Sequence, residues 1–152
     1  MKRTIPILLA ADTPDDALFT RRALRRCDVP SIVDAVTDTE EAIDYLEGRE
    51  KFANRNIFPL PELILLDIEE EQGGTLDFLK WLKDNSRFQA IPAAILSSVD
   101  VPRTITEAYA LGAVAYLPKP VDFTALERLL KAVQAVLGPR QAVVPAARLV
   151  SH

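Results

Sequence analysis

Four polar residues with side chains suited to phosphoryl transfer each follow or end a short apolar run of the sequence. They are two carboxylates, Asp12 and Asp67, one hydroxyl, Ser97, and one ammonium, Lys119. A carboxylate can attack phosphorus and form an aspartyl phosphate, and Mg²⁺ takes one or two carboxylates together with water. A metal ion and Lys119 would neutralise charge on the transferring phosphoryl group, and Ser97 would hydrogen-bond to one of its oxygens.

Taken singly, most of these residues also have ordinary structural explanations. Asp12 could cap a helix or a turn, Ser97 could be a turn hydroxyl, and Lys119 could be a solvated surface charge. Asp67 is harder to explain in this way, because a carboxylate that ends so apolar a strand is costly to bury unless it is paired or metal-bound. The joint pattern is therefore more specific than any one of its members.

The elements that would position these residues alternate regularly along the chain. Short apolar runs predict strands and amphipathic stretches predict helices. The strands are expected at 7–10, 32–36, 62–67, 93–97 and 114–117, and the helices at 14–27, 39–47, 75–84, 103–110 and after Asp122 as cap. Strict alternation implies a parallel sheet with right-handed crossovers. We predict a doubly wound α/β domain of five strands in the flavodoxin-like order 2-1-3-4-5, with ligands beyond the carboxyl ends of the strands.

Length and composition are those of one globular domain. The chain has 152 residues, of which 49% are hydrophobic, and its net charge of −4 argues against nucleic acid as a direct partner. No apolar run is long enough to span a membrane, and no signal peptide is visible, so we expect a cytoplasmic protein. The single cysteine, Cys27, is expected to be buried filler, and the only histidine is the final residue, His152.

Four segments resemble the receiver domains of bacterial two-component response regulators. They are ILLAADTPDD at 7–16, LILLD at 63–67, IPAAILSS at 91–98 and YLPKP at 116–120. The resemblance covers residues 5–137. The long polar connection at 50–61 is similar to that of the small regulators that partner bacterial and cyanobacterial phytochromes.

This resemblance implies a role for each of six residues and a cofactor, Mg²⁺. Asp67 would be the phosphoacceptor, Asp12 and the backbone carbonyl of Glu69 further metal ligands beside Asp67, Ser97 the switch hydroxyl, Tyr116 the aromatic that swings inward, and Lys119 the cation that contacts the phosphoryl group. A cis bond before Pro120 is also implied. Catalysis would be limited to self-catalysed phosphotransfer and dephosphorylation, so the protein would not be an enzyme in the usual sense.

The resemblance further implies a histidine kinase as partner, such as a bacteriophytochrome. Phosphorylation would alter the face formed by the fourth helix, fifth strand and fifth helix, and this face would bind a partner or a second copy of the chain. We expect a receiver domain at 1–138 and a short tail at 139–152. The tail, with Val143-Val144 and Leu149-Val150, is either disordered or part of the dimer contact.

Two departures from the family pattern leave alternatives open. Ala11 stands where the family has the first member of an acidic pair, and the loop after Asp67 reads IEEEQGG without the usual Pro and Asp-Gly. The chain could therefore be a degenerate receiver that docks without taking phosphate. Asp67 and Glu69 also resemble the acid pair of phosphatases of the haloacid dehalogenase type, but their second Asp and cap insertion are missing. A nucleotide site is not expected, because the turn at 10–14 has no glycine.

Overall fold

The computed structural model describes residues 3–68, 74–99 and 101–137, which form a parallel sheet flanked by helices. The five strands lie in the order β2-β1-β3-β4-β5, which confirms the predicted flavodoxin-like arrangement. In chain order the elements are β1 (Ile5–Ala11), α1 (Pro14–Arg26), β2 (Ser31–Val36), α2 (Thr39–Glu47), a short 3-10 turn (Glu50–Phe52), β3 (Leu63–Asp67), α3 (Gly74–Asp84), β4 (Ala93–Ser97), α4 (Pro102–Ala110), β5 (Ala115–Pro118) and α5 (Phe123–Leu137).

The sheet separates two hydrophobic cores, because successive side chains of a strand point to opposite faces. Leu8 and Leu66 pack on the face that α2, α3 and α4 cover. Leu9 and Leu65 pack on the other face, against α1 and α5. Every residue of β3 and β4 is buried, which is why these strands read as continuous apolar runs rather than alternating ones.

Two side chains cap the helices that begin next to the carboxyl edge of the sheet. The Thr13 hydroxyl accepts a hydrogen bond from the Asp16 backbone N–H at 3.1 Å, and Pro14 occupies the first turn of α1. Asp122 accepts from the Thr124 backbone N–H at 3.0 Å, just before α5 begins. These contacts satisfy backbone donors at helix N-termini, and they place α1 and α5 beside the ends of β1 and β5.

The connection between α2 and β3 is less polar than the sequence suggested. It contains the aromatic rings of Phe52 and Phe58, whose centroids lie 5.3 Å apart and 5.1 and 6.0 Å from that of the buried Tyr45. Arg55 donates hydrogen bonds to the carbonyl oxygens of Tyr45 at 2.9 Å and Leu46 at 2.6 Å, at the end of α2. The two aromatic rings therefore pack this connection against α2, while Ile57 and Leu60 remain exposed at its surface.

The single cysteine lies in the core of the domain, as predicted. Cys27 is buried and has no disulfide partner, and burial raises the pKa of its thiol to about 11, as befits an inert core residue. No helix in the described ranges has the length and apolar character needed to cross a bilayer. Glu69 and the predicted tail at 139–152 lie outside the described residues.

Candidate phosphoryl-transfer site

Asp67 is the centre of the polar cluster at the carboxyl edge of the sheet. It is the last residue of β3, and only 1% of its surface is exposed. Lys119 donates a hydrogen bond from Nζ to Asp67 Oδ1 at 2.6 Å, and Thr20 donates from its hydroxyl to Asp67 Oδ2 at 3.1 Å. Both carboxylate oxygens are thus held by side chains from different parts of the chain.

Burial sets the electrostatics of this carboxylate. Desolvation raises the pKa of Asp67 above its ordinary value, and the Lys119 ammonium and the Thr20 hydroxyl offset part of that rise. Asp16 adds a small unfavourable charge interaction with Asp67. The charged form of Asp67 is therefore costly in this fold, and that cost is partly balanced by a cation within hydrogen-bond distance.

β1 brings a second carboxylate and an alanine to Asp67. The Asp12 backbone N–H donates to the Asp67 carbonyl oxygen at 3.3 Å, and Asp12 itself is exposed. Ala11 is the direct register partner of Asp67 and is only 3% exposed. The position at which receiver domains usually carry another acid is therefore next to Asp67, and in this chain it holds a buried methyl group.

β4 and β5 bring the remaining predicted residues to the same edge. Ser97 is buried, its carbonyl oxygen accepts from the Lys119 backbone N–H at 2.9 Å, and its hydroxyl accepts from the Val99 backbone N–H at 3.0 Å. The partly buried Tyr116 donates its hydroxyl proton to the Val99 carbonyl oxygen at 2.9 Å. The peptide bond between Lys119 and Pro120 is cis, as the resemblance implied.

Two residues of α1 lie near this cluster although the sequence pattern assigns them no role. Thr20 contacts Asp67 directly, and Asp16 Oδ1 lies 3.5 Å from Lys119 Nζ. They are four positions apart on one helix, so they share a face. The only sequence signal for Thr20 is a hydroxyl on the buried side of α1, where an aliphatic residue would pack equally well.

The donor set suits Mg²⁺ only partly within the described residues. Asp12 and Asp67 offer carboxylate oxygens from adjacent strands, which is as many as Mg²⁺ usually takes from a protein. In the described ranges no three histidine, cysteine or carboxylate side chains form a metal-binding group. The third predicted ligand, the Glu69 carbonyl, lies outside those ranges. A magnesium ion here would therefore depend on water and backbone oxygens for most of its shell.

A cleft of about 390 Å³ opens beside the cluster, between α1 and the segment that follows β5. Its polar side is formed by Asp16, Thr20, Asp67 and Lys119, and its apolar side by Phe19, Ala23, Pro120 and Val121. A buried carboxylate paired with an ammonium thus borders a cavity that a phosphodonor could enter.

Fold and site together define a doubly wound α/β domain with an acidic centre at the carboxyl ends of its strands. The family described as the response regulator receiver domain matches residues 7–134. The chain belongs to this family, and the resemblance seen in the sequence is confirmed.

Several known proteins are similar over most of their length. The probable methanogenesis regulatory protein FilR2 of Methanothrix harundinacea is 27% identical over 128 residues, which are 84% of this chain and 80% of that protein. The phosphorylated cyanobacterial phytochrome response regulator RcpA has 27% identity and a TM-score of 0.70, with 86% and 91% of the two chains covered. The response regulator RPA3017, in red light signaling of R. palustris, has 26% identity and a TM-score of 0.69, with 93% and 98% covered.

Proposed function

We propose that this chain is a phosphorylation-dependent switch in which Asp67 accepts a phosphoryl group from a histidine kinase. The observation that carries the proposal is the buried Asp67 carboxylate, whose Oδ1 lies 2.6 Å from the Lys119 ammonium at the mouth of a cleft. A structural carboxylate would be less costly at the surface, so its retention in the core supports a chemical role.

The chemistry follows from the positions of the side chains. An Asp67 oxygen attacks phosphorus, the bond from phosphorus to the donor nitrogen of a phosphohistidine breaks, and its electron pair stays on that nitrogen. Lys119 is placed to contact the oxygens of the transferred group, since its ammonium already lies beside the nucleophile. The apolar wall of the cleft, with Phe19 and Val121, would exclude water from the approach.

Mg²⁺ is the cofactor that this donor set would hold, through Asp12, Asp67 and the carbonyl of Glu69. When bound, it would supply positive charge that stabilises the transferring phosphoryl group. Ala11 removes one carboxylate from the neighbourhood, so we expect the affinity for Mg²⁺ to be weaker than in a receiver with the full acidic pair.

The proposed input is a histidine kinase, and a bacteriophytochrome is the candidate that the comparisons favour. RcpA is a phytochrome response regulator whose structure is of the phosphorylated protein, and RPA3017 functions in red light signaling. These descriptions are those of similar proteins at about a quarter identity, and they support the same kind of input for this chain.

The proposed output runs from Ser97 and Tyr116 to the surface. A phosphoryl group adds roughly −1.5 to −2 charges, and Ser97 would turn toward it. Tyr116 would then leave the Val99 carbonyl and fill the space that Ser97 vacates. Since Tyr116 lies on β5 and Val99 precedes α4, the face of α4, β5 and α5 would change. We propose that this face binds a partner protein or a second copy of the chain.

The proposal is tested by intact mass spectrometry after incubation with Mg²⁺ and acetyl phosphate. The parent chain should gain one phosphoryl group, and Asp67→Asn should gain none. Asp15→Asn is a matched control, because Asp15 is an exposed carboxylate of α1 that does not line the described cleft beside Asp67; it should label as the parent does. A phosphoryl group gained by Asp67→Asn would place the label on another residue and would refute the assignment.

A second candidate function is a docking module that does not take phosphate, and Ala11 in place of an acid beside Asp67 is the observation that favours it. The same experiment separates the candidates. No labelling at saturating Mg²⁺ would select the docking module, one phosphoryl group per chain would select the switch, and continuous release of inorganic phosphate from phosphomonoesters would select a phosphatase.

A further inference from the structure

Thr20 is a buried hydroxyl for which the proposed phosphorylation has so far supplied no role. It is 2% exposed on the inner face of α1, and its side chain reaches Asp67 across 47 residues of sequence. A threonine within a helix often donates its hydroxyl proton to a carbonyl of the preceding turn. Here the single proton is directed at Asp67 Oδ2 instead, at 3.1 Å.

Loss of a phosphoryl group from Asp67 would return negative charge to the atoms that Thr20 contacts. A water oxygen forms a bond to phosphorus, the bond between phosphorus and the Asp67 oxygen breaks, and its electron pair stays on the carboxylate. The two water protons leave on the phosphate or pass to solvent. The Asp67 carboxylate is therefore the leaving group, and its charge develops as the bond breaks.

We propose that Thr20 is a further catalytic residue, whose hydroxyl stabilises the leaving carboxylate of Asp67 and so shortens the lifetime of the phosphorylated state. This inference rests on the proposed function. A hydrogen bond to an ionised acceptor is stronger than one to a neutral acceptor, so the hydroxyl favours the carboxylate over the acyl phosphate. An interaction that strengthens toward the transition state accelerates the reaction.

Thr20 favours the leaving carboxylate whichever oxygen of Asp67 carries phosphorus. If Oδ2 is the phosphorylated atom, Thr20 donates to the oxygen from which phosphorus departs. If Oδ1 is phosphorylated, Thr20 donates to the carbonyl oxygen that shares the developing charge by resonance. Lys119 contacts the opposite oxygen, Oδ1, so a substitution at Thr20 leaves the cation in place.

The test compares Thr20→Val, which keeps the shape and removes the hydroxyl, with Thr20→Ser, which keeps the hydroxyl. Each full-length protein is phosphorylated with acetyl phosphate at fixed Mg²⁺, the donor is removed by rapid desalting, and the phosphorylated fraction is followed by intact mass spectrometry. We expect Thr20→Val to lose its phosphoryl group roughly three- to tenfold more slowly than the parent. Thr20→Ser should stay within about twofold of the parent, because its hydroxyl can make the same hydrogen bond.

Each outcome separates this inference from the proposed function. If the parent chain takes no phosphoryl group on Asp67, the proposed function fails and the inference fails with it. If the parent is labelled and Thr20→Val dephosphorylates at the parent rate or faster, only the role of Thr20 is overturned. Equal slowing in Thr20→Ser would identify a packing effect and would also overturn it. Thr20→Ala, which lacks the hydroxyl too, replaces valine if thermal melting shows that valine disturbs the fold.

Discussion

Asp67 and Tyr45 are both buried residues with polar side-chain atoms, but Asp67 lines a cleft and Tyr45 lies beneath a packed connection. Asp67 ends β3 at the mouth of a cleft, and its oxygens are held by Lys119 and Thr20. The Tyr45 hydroxyl lies 2.9 Å from both Asp34 Oδ2 and the Pro59 carbonyl oxygen, beneath the connection from α2 to β3. The first group is an acid whose charged form is costly, and the second is a neutral hydroxyl.

The pKa values of the two groups shift in the same direction with opposite consequences. Burial raises the pKa of Tyr45, aided by Asp34, so the hydroxyl stays neutral and can donate its single proton to either Asp34 or the Pro59 carbonyl oxygen. Burial also raises the pKa of Asp67, but there it works against the ionised carboxylate that the proposed phosphoryl transfer would require. The aromatic lobe around Tyr45 therefore contributes stability, whereas the charged form of the buried Asp67 carboxylate lowers it.

The largest expected effect comes from Tyr45→Ala. The lost ring contacts and the cavity should lower the free energy of unfolding by about 3–5 kcal/mol, as for other buried aromatic residues. Phosphorylation of the folded fraction should be unchanged, because Tyr45 makes none of the contacts of the carboxylate edge. Denaturant unfolding and intact mass spectrometry measure the two effects. Tyr45→Phe, which removes only the hydroxyl, should cost about 1 kcal/mol; an equal cost for both variants would show that packing contributes nothing.

Arg55→Lys tests how far the hydrogen bonds of the Arg55 guanidinium stabilise the packing of the connection against α2. The guanidinium donates to the carbonyl oxygens of Tyr45, Leu46 and Phe58, and a lysine cannot reproduce this planar fork. We expect a loss of about 1–2 kcal/mol in unfolding free energy and no change in phosphorylation. Lysine that preserves full stability would mean that the positive charge alone holds the lobe.

Asp67→Asn should change how stability depends on pH, in the presence of a metal chelator. Because the pKa of Asp67 is raised in the folded state, the folded chain binds its proton more tightly than the unfolded chain does. The stability contributed by this group is complete below the unfolded pKa and is lost as pH rises through the folded pKa. The stability of Asp67→Asn relative to the parent should therefore increase with pH across that window.

Urea unfolding of both proteins over a pH series provides the measurement, with Tyr45→Phe as control. The difference in unfolding free energy between Tyr45→Phe and the parent should stay constant over the same pH range, since the Tyr45 hydroxyl of the parent does not titrate there. If the unfolding free energies of Asp67→Asn and the parent changed with pH in the same way, the pKa of Asp67 would not be raised in the folded state.

The smallest effect is expected for Ala11→Glu, which places an acid next to Asp67. It should tighten Mg²⁺ binding roughly threefold to tenfold, with the gain limited by repulsion among the carboxylates before metal binds. Isothermal titration calorimetry measures the affinity. Ala35→Glu adds the same charge at an exposed position of β2 and should leave the affinity unchanged. Equal affinities for Ala11→Glu and the parent would mean that residue 11 does not sit beside the metal.

The sequence alone determined the fold and grouped most residues of the candidate site. Alternation of apolar runs and amphipathic stretches specified a parallel doubly wound sheet, because a sheet covered by helices on both faces must be apolar on both. The predicted bounds of α2 and β4 are those of the structure, and the other elements differ by two residues or fewer at each end where exact bounds were predicted. Asp12, Asp67, Ser97 and Lys119 could be grouped because the carboxyl ends of parallel strands meet at one edge.

Only the tertiary structure decided which further side chains reach that edge and how the long connection packs. Helical periodicity places Thr20 on the inner face of α1, but the rotation and depth of α1 against β3 determine that its hydroxyl meets Asp67. The sequence of the connection after α2 indicates a polar segment, yet its Phe52 and Phe58 rings pack against Tyr45. Contacts between residues far apart in sequence depend on how whole elements pack, and local patterns of residues do not encode that geometry.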